Sequence, residues 1–486
     1  MKVITVMNLE RTERNLTLTK IPEHLPESRF TDTIKIRLKE CDFLSKAISM
    51  DQIANFQADL DQRAEAKVIE RAVTKNGILA SSQDIQAMSQ TTPVFSIDLD
   101  TGGVANQKQS GRCWMFAALN TMRHSLADRF KLKDFELSQN YTFFWDKFEK
   151  ANYFYENVLA TADQPTSSRK VAWLMTTPQQ DGGQWDMLVA IIQKYGIVPK
   201  SVMPETYNSS KSAEINSTLN LKLRKDAVEL RELVASKATD DQIQDRKEKM
   251  LNEVYRMLAY AFGEPVNQFD WEYRDDDKNY HIDQGLTPQS FFKKYIGWNL
   301  DDYVSIINAP TDDKPYNHTY TIEMLGNVLG GREVKHLNVT MADFKQLAIN
   351  QLQAGQSVWF GCDVGKSSDR QKGVMATDVY GTDELFDVDL AMSKAERLDY
   401  GQSLMTHAMV ITGVDLVNGQ PTKWKVENSW GDKVGEKGFF VMSDAWMDEY
   451  CYQVVVNKQF LPDELKAAQA EKPTVLAPWD PMGALA

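Results

Sequence analysis

The chain is expected to be an α+β protein built from two unlike halves: a helical half carrying a cysteine, and a β-rich half carrying a histidine and an asparagine. Three observations lead there. From Cys113 onward, Met115, Phe116, Leu119, Met122 and Leu126 recur at helical spacing. Toward the other end, Leu404–Val414 is an apolar run rich in β-branched residues, and Trp424, Val426 and Asn428 alternate with Lys425 and Glu427, both strand patterns. Between them, Asn220–Phe262 sets Leu223, Leu230, Met250, Val254 and Leu258 among Lys, Arg, Asp and Glu, the pattern of amphipathic helix.

In chain order, Ser49–Gly77 reads as a helix, with Ser49 and Gln52 placed for a capping box and Gly77 at its end. Val94–Leu99 alternates and reads as a strand leading to the cysteine segment. Ser110 and Gly111 supply a tight turn before the helix that Cys113 opens. Helical pattern then runs to about Ile197, interrupted by Asp181-Gly182-Gly183. Ser357–Asp363, Met405–Val414, Lys423–Glu427 and Gly438–Met442 read as strands. Gly361–Ser367 looks like a phosphate loop but has one residue too few between its glycines, and no helical pattern follows. The last sixteen residues, Glu471–Ala486, hold Pro473, Pro478 and Pro481, which favour an extended chain. Such a tail can span roughly 50 Å.

The chemistry centres on Cys113. A thiol in the first turn of a helix faces the positive end of the helix dipole, which favours thiolate. His407 on its strand can take and return a proton, and Asn428 can accept a hydrogen bond from the second imidazole nitrogen and hold the ring. Gln107, six residues before Cys113, can donate a side-chain N–H to a tetrahedral oxyanion, beside the backbone N–H of Cys113. His24, His124, His281, His318 and His336 show no metal-binding spacing, so no metal is expected. His124, on the polar side of the cysteine helix, reads as an exposed or packing residue.

Five segments carry a resemblance: Gln107–Asn120, Gly182–Asp186 (GGQWD), Ser403–Val414, Asn428–Phe440 (NSWGDKVGEKGFF) and Trp479–Ala486 (WDPMGALA). Together they are similar to the papain-like cysteine peptidases, and within them to the bleomycin hydrolase and aminopeptidase C family. The resemblance implies a papain-like two-lobed fold with a large helical insertion and a C-terminal arm. It also implies a thiol aminopeptidase with no cofactor, acting on peptides with free N-termini. Gly182 and Gly183 would bind the substrate backbone. Ala484, Leu485 and Ala486 would lie on the non-primed side of the cleft, with the Ala486 carboxylate facing the substrate amine. The family forms hexameric barrels, so a homohexamer is implied as well. The separation of Cys113 from His407, 294 residues against roughly 130–150 in compact relatives, requires an insertion. The resulting division is an N-terminal extension over 1–49, a helical lobe with its N-terminal region over 50–207, a mainly helical insertion over 208–335, a β-rich lobe over 336–470 and an arm over 471–486. Family members begin near Met50, so residues 1–49 are expected to be dispensable.

Bulk properties narrow the alternatives. With 55 basic and 68 acidic residues the net charge is −13, which opposes binding to nucleic acid. No stretch of 18 apolar residues occurs, so no membrane span is expected. The apolar patch after Met1 is too short for a signal peptide. Four scattered cysteines, Cys41, Cys113, Cys362 and Cys451, do not make a disulfide framework and fit the reducing cytoplasm. Competing functions are a papain-like endopeptidase or acyltransferase, if the arm does not gate the cleft, and a non-catalytic scaffold. A scaffold would need none of Cys113, His407, Asn428 and Gln107.

Overall fold

The computed structural model describes residues 47–89 and 91–485, together with two short strands, Arg11–Thr12 and Asn15–Leu16. Cys41, His24, most of the expected extension over 1–49, and Ala486 lie outside the described residues.

Met1–Gly77 and Ile78–Ala486 are two compact units. In the first, the segment expected to form one helix forms two, α1 (Met50–Gln62) and α2 (Ala66–Asn76). Ser49 caps α1 through the expected capping box: its hydroxyl accepts from the Gln52 N–H, and the Gln52 side chain accepts from the Ser49 N–H. A boundary between residues 49 and 50 would cut that box. Neither Gly nor Pro marks the break after α1, where Arg63 simply turns extended.

The second unit starts its helical half with α3 (Cys113–Phe130), α4 (Gln139–Ala160) and α5 (Trp185–Tyr195). The insertion contributes α6 (Ala213–Ala235) and α7 (Asp240–Phe262), which pack on α4 and on each other. Their heptad-like apolar positions explain this: Leu219, Leu223, Leu230, Met250, Val254 and Leu258 are fully buried, while most charged positions face outward, Asp226 and Lys247 excepted. The long helices of residues 208–335 end at Phe262, and shorter helical stretches follow at Pro288–Phe291 and Phe292–Ile296. Beyond Phe262 lie a hairpin, Phe269–Arg274 with Tyr280–Leu286, and then strands that enter the main sheet.

Among the described residues that sheet has twelve strands. They are β1 (Ile97–Asp98), β2 (Tyr303–Ile307), β3 (His318–Ile322), β4 (His336–Asn338), β5 (Val358–Cys362), β6 (Ser368–Asp369), β7 (Val374–Met375), β8 (His407–Val417), β9 (Gln420–Glu427), β10 (Phe439–Ser443), β11 (Cys451–Asn457) and β12 (Thr474–Leu476). Their order is β6-β7-β10-β9-β8-β5-β11-β2-β4-β3-β12, with β1 on β8. Of the strand expected over Val94–Leu99, only β1 pairs. The four strands expected between Ser357 and Met442 form within a few residues of their expected bounds.

Two cores result. One joins α3–α7 and reaches the sheet through Trp359, Ala408 and Val410. The other lies between the sheet and α8 (Met341–Gln353). Helix α3 packs on β8, so the first residue of each, Cys113 and His407, falls at the junction of the two halves. The structure is papain-like in this division: a helical half with the cysteine and a β-rich half with the histidine and asparagine.

Candidate active site

Cys113 opens α3 after Arg112, which occupies the N-cap position without a capping side chain. Arg112 is fully buried and held by both Glu205 carboxylate oxygens, at 3.0 and 2.7 Å, and by the Ser110 hydroxyl. The preceding turn is fastened to the insertion. Gly111 N–H donates to Asp181 Oδ2 at 2.9 Å, and the same carboxylate binds Lys147 (2.8 Å), Asn216 (2.7 Å) and Ser212. Burial alone would raise the Asp181 carboxyl, but Lys147 and these donors hold it well below the usual range. Ser212 and Asn216 therefore brace, through Asp181, the loop that leads to Cys113.

His407 starts β8, and its Nε2 is 2.9 Å from Asn428 Oδ1. With Nε2–H donating to that oxygen, Nδ1 is left free for a thiol. Asn428 follows directly on β9; its Oδ1 also accepts the Ser429 N–H at 2.7 Å, which orients the amide. Trp430 packs its ring 4.8 Å from the imidazole, centre to centre. Both side chains are nearly inaccessible, Cys113 at 3% and His407 at 4% exposure.

That burial acts on their charge. It pushes the Cys113 thiol up to about 11, against weaker lowering by the backbone of Ala408 and Trp114. It pushes the His407 imidazole down to about 4, although the Asn428 hydrogen bond acts upward. Desolvation thus acts on both groups against the charged form, opposite in direction to the helix dipole that the position of Cys113 provides.

Gln107 is placed by the same Asn-Ser-Trp-Gly segment. Its backbone N–H donates to Ser429 O at 2.8 Å, and its side-chain oxygen accepts the Ser429 hydroxyl at 2.5 Å. The amide nitrogen is then turned the other way, toward Ser110 O at 2.7 Å, with its second hydrogen unassigned. Ser429 is a residue that sequence reasoning did not single out; its place in the NSWG run was the available signal.

The glycine pair divides in role. A Cβ on Gly183 would sit 2.5 Å from the Trp114 indole, so this glycine is required by packing of the residue beside the nucleophile. The Gly182 carbonyl accepts from Lys150 Nζ at 2.7 Å. The N–H and C=O of Gly183 make no hydrogen bond among the described residues.

The next residue, Gln184, was also passed over, and it meets the tail: its Nε2 donates to Ala484 O at 2.6 Å. The tail is not uniformly extended. It adds β12 in parallel to β3, then makes one short 3₁₀ turn, Pro481–Gly483, capped by Asp480. Asp480 pairs with buried Lys314 at 3.0 Å, and Trp479 lies under the Arg169 guanidinium at 3.8 Å. Met482 is buried, and Ala484 and Leu485 pack against the first core. A cavity of about 200 Å³ bordered by Leu485, Lys150, Phe154 and Met187 opens beside them.

Behind the site, Glu427 is completely buried and binds three groups of α3: Asn120 at 2.9 Å, Arg123 at 3.0 Å and His124 at 3.0 Å. His124 is therefore a buried partner of a carboxylate and of Ser357 Oγ (2.9 Å), not an exposed residue. Burial favours the neutral carboxyl, but His124, Arg123 and Thr101 together hold Glu427 below its ordinary 4.5.

The Peptidase C1-like family matches residues 47–483. Aminopeptidase C of Lactobacillus delbrueckii subsp. lactis is 57% identical over 446 residues, 91% of this chain and 99% of the relative. Aminopeptidase C of Streptococcus thermophilus is 58% identical over 441 residues, 90% of this chain and 99% of the relative. The crystal structure of PepW from Lactobacillus rhamnosis, 68% identical, superposes with a TM-score of 0.90 over 91% of this chain and 100% of its own.

Proposed function

This chain belongs to the Peptidase C1-like family, and from that premise we propose how its cleft works as a cysteine aminopeptidase. Cys113 Sγ attacks the carbonyl carbon of the first residue of a peptide, and its proton passes to His407 Nδ1. The oxyanion that forms is met by Gln107 Nε2–H and the Cys113 backbone N–H. Collapse expels the shortened peptide, whose amine takes the proton from His407, and leaves a thioester on Cys113. Water, deprotonated by His407, then releases the free amino acid. The 2.9 Å contact from His407 to Asn428 carries this reading, because it selects the tautomer that leaves Nδ1 basic toward the thiol.

The tail sets the exopeptidase character in this reading. The bond from Gln184 to Ala484, one residue from the Gly182-Gly183 pair, supports placing Ala484–Ala486 on the non-primed side, where only one substrate residue fits past the scissile bond. The unbonded N–H and C=O of Gly183 are free to hold substrate backbone there. The Ala486 carboxylate would pair with the substrate's ammonium group.

Assembly into a homohexamer belongs to the same reading. Leu221 (71% exposed), Val228 (51%) and Tyr260 (83%) leave apolar surface on the insertion helices α6 and α7, as a subunit contact would need. A cytoplasmic location is favoured by three free cysteines among the described residues; no described helix is long and apolar enough to cross a membrane. The test is hydrolysis of free-amino against N-blocked forms of one peptide, with Cys113→Ala as the blank. Release of free amino acid from the free-amino form alone is expected. Cleavage of both forms would make the enzyme an endopeptidase instead.

A further inference from the structure

We propose that Arg370 is a specificity residue on the leaving-group side of the cleft, binding the C-terminal carboxylate of di- and tripeptide substrates. The inference rests on the peptidase reading above and names its preferred substrate length.

The geometry is a stack of three groups. Trp430 packs on the His407 imidazole at 4.8 Å, and the Arg370 guanidinium lies 4.0 Å from the centre of the same indole. Arg370 is also close enough for its charge to act on His407. In the proposed mechanism His407 hands its proton to the leaving amine, so groups stacked outward from His407 through Trp430 flank the departing part of the peptide. Two steps of 4.8 and 4.0 Å keep the guanidinium within roughly 9 Å of the imidazole, the span of two to three extended residues.

Arg370 is exposed, and among the described residues it makes no ion pair. The neighbouring carboxylate of Asp369 is occupied elsewhere. It accepts the side chain of Gln83 at 2.8 Å and the backbone N–H groups of Gln371 and Lys372 at 2.9 and 3.0 Å. Nor is the arginine on a loose loop. It sits at the tip of the β6–β7 hairpin, and β7 pairs with β10. Gly435 N–H donates to Gln371 O at 3.0 Å and Val441 N–H to Gly373 O at 2.8 Å, tying the tip to the segment that follows Asn428. A fixed cation with two spare donor edges, beside an aromatic ring at the leaving-group side, matches a carboxylate bidentately. An internal peptide bond or an amidated end offers it no negative charge.

The experiment compares kcat/KM for Leu-Gly-Gly with a free carboxylate and with a C-terminal amide, in the unaltered enzyme, Arg370→Gln and Arg370→Glu. The free acid should be preferred by about 5- to 20-fold, the size of one charge-assisted hydrogen bond at a partly solvated site. The preference should shrink at 1 M salt, fall to near unity in Arg370→Gln and invert in Arg370→Glu. It should also fade for Leu-Gly-Gly-Gly-Gly, whose carboxylate lies beyond reach. Hydrolysis of both forms with a ratio that Arg370→Gln leaves unaltered would overturn this assignment and leave the peptidase reading standing. Failure of the unaltered enzyme to hydrolyse either form would overturn both.

Discussion

Replacing Glu427 with alanine should destabilise the protein by about 3 kcal/mol and impair catalysis together. The carboxylate is 0% exposed and the guanidinium of Arg123 is 3% exposed, so their pairing is screened from water. Removing one member of a buried pair costs about 3–5 kcal/mol, because the remaining charge is stranded. Arg123 keeps its bond to Gly103 O at 2.9 Å and its contact with His124 Nε2 at 3.3 Å, which places the loss toward the lower end. Glu427, the residue before Asn428, also binds Asn120, Arg123 and His124 of the helix that Cys113 opens. Its loss should let the two halves shift, and turnover should fall through kcat more than KM. Urea unfolding read by fluorescence and far-UV dichroism measures the first effect, steady-state kinetics the second. The pH dependence gives an internal check. Glu427 is held below 4.5 in the folded state, so its stabilisation is present above pH 4.5 and lost as pH falls through the lower folded value. Glu427→Gln should remove that part of the acid sensitivity. A loss under about 1 kcal/mol for Glu427→Ala, against the 3–5 expected of a buried pair, or an unchanged acid limb in Glu427→Gln, would refute the argument.

Three further outcomes are expected. Cys113→Ala should abolish peptide hydrolysis and His407→Ala nearly so, Gln107→Ala should cost roughly 10²–10³ in kcat, and Asn428→Ala should cost less because it orients the ring without moving a proton. The acid limb of kcat/KM should lie near pH 4, well below the ordinary 6.5 of histidine, since burial lowers His407 and its base form is lost only as pH falls through that value; a midpoint at or above 6.5 would contradict this, and Arg370→Gln should move the limb upward. Deleting Ala484–Ala486, or more mildly Gln184→Ala, should let the enzyme cleave N-blocked peptides, measured by release of a C-terminal fluorophore; strict dependence on a free amine in the deletion would show that the tail is not the gate.

Much of the fold and of the candidate site was legible because it rests on local pattern. Helical spacing after Cys113, β-branched runs around His407 and alternation up to Asn428 each record which face of one element is buried, and the capping box at Ser49 records a bond between residues three apart. Short-range chemistry of this kind is written in neighbouring residues. The insertion illustrates the limit. Its amphipathic helices were readable, but the passage of β2 and β3 into the main sheet was not, since the partners that join them to it, β11 and β12, come from distant parts of the chain.

The sequence by itself determined the candidate residue types, the order in which they occur and the helical or extended character of the segments that hold them. Only the tertiary structure decided their surroundings. The helix start predicted a thiol inclined to ionise, whereas the depth of the junction between the halves pushes Cys113 up to about 11 and His407 down to about 4. His124 read as exposed or packing on its own helix, and its burial against Glu427 and Ser357, residues more than two hundred positions away, settles it as a packed residue. Gly183 has a packing requirement that its own neighbours in sequence do not show, because Trp114 fills the space a side chain would need. Ser429, Gln184 and Arg370 acquire their meaning only when Gln107, Ala484 and Trp430 are brought against them. Desolvation, ion pairing and close packing depend on what the rest of the chain places around a group, and no window of neighbouring residues contains that information.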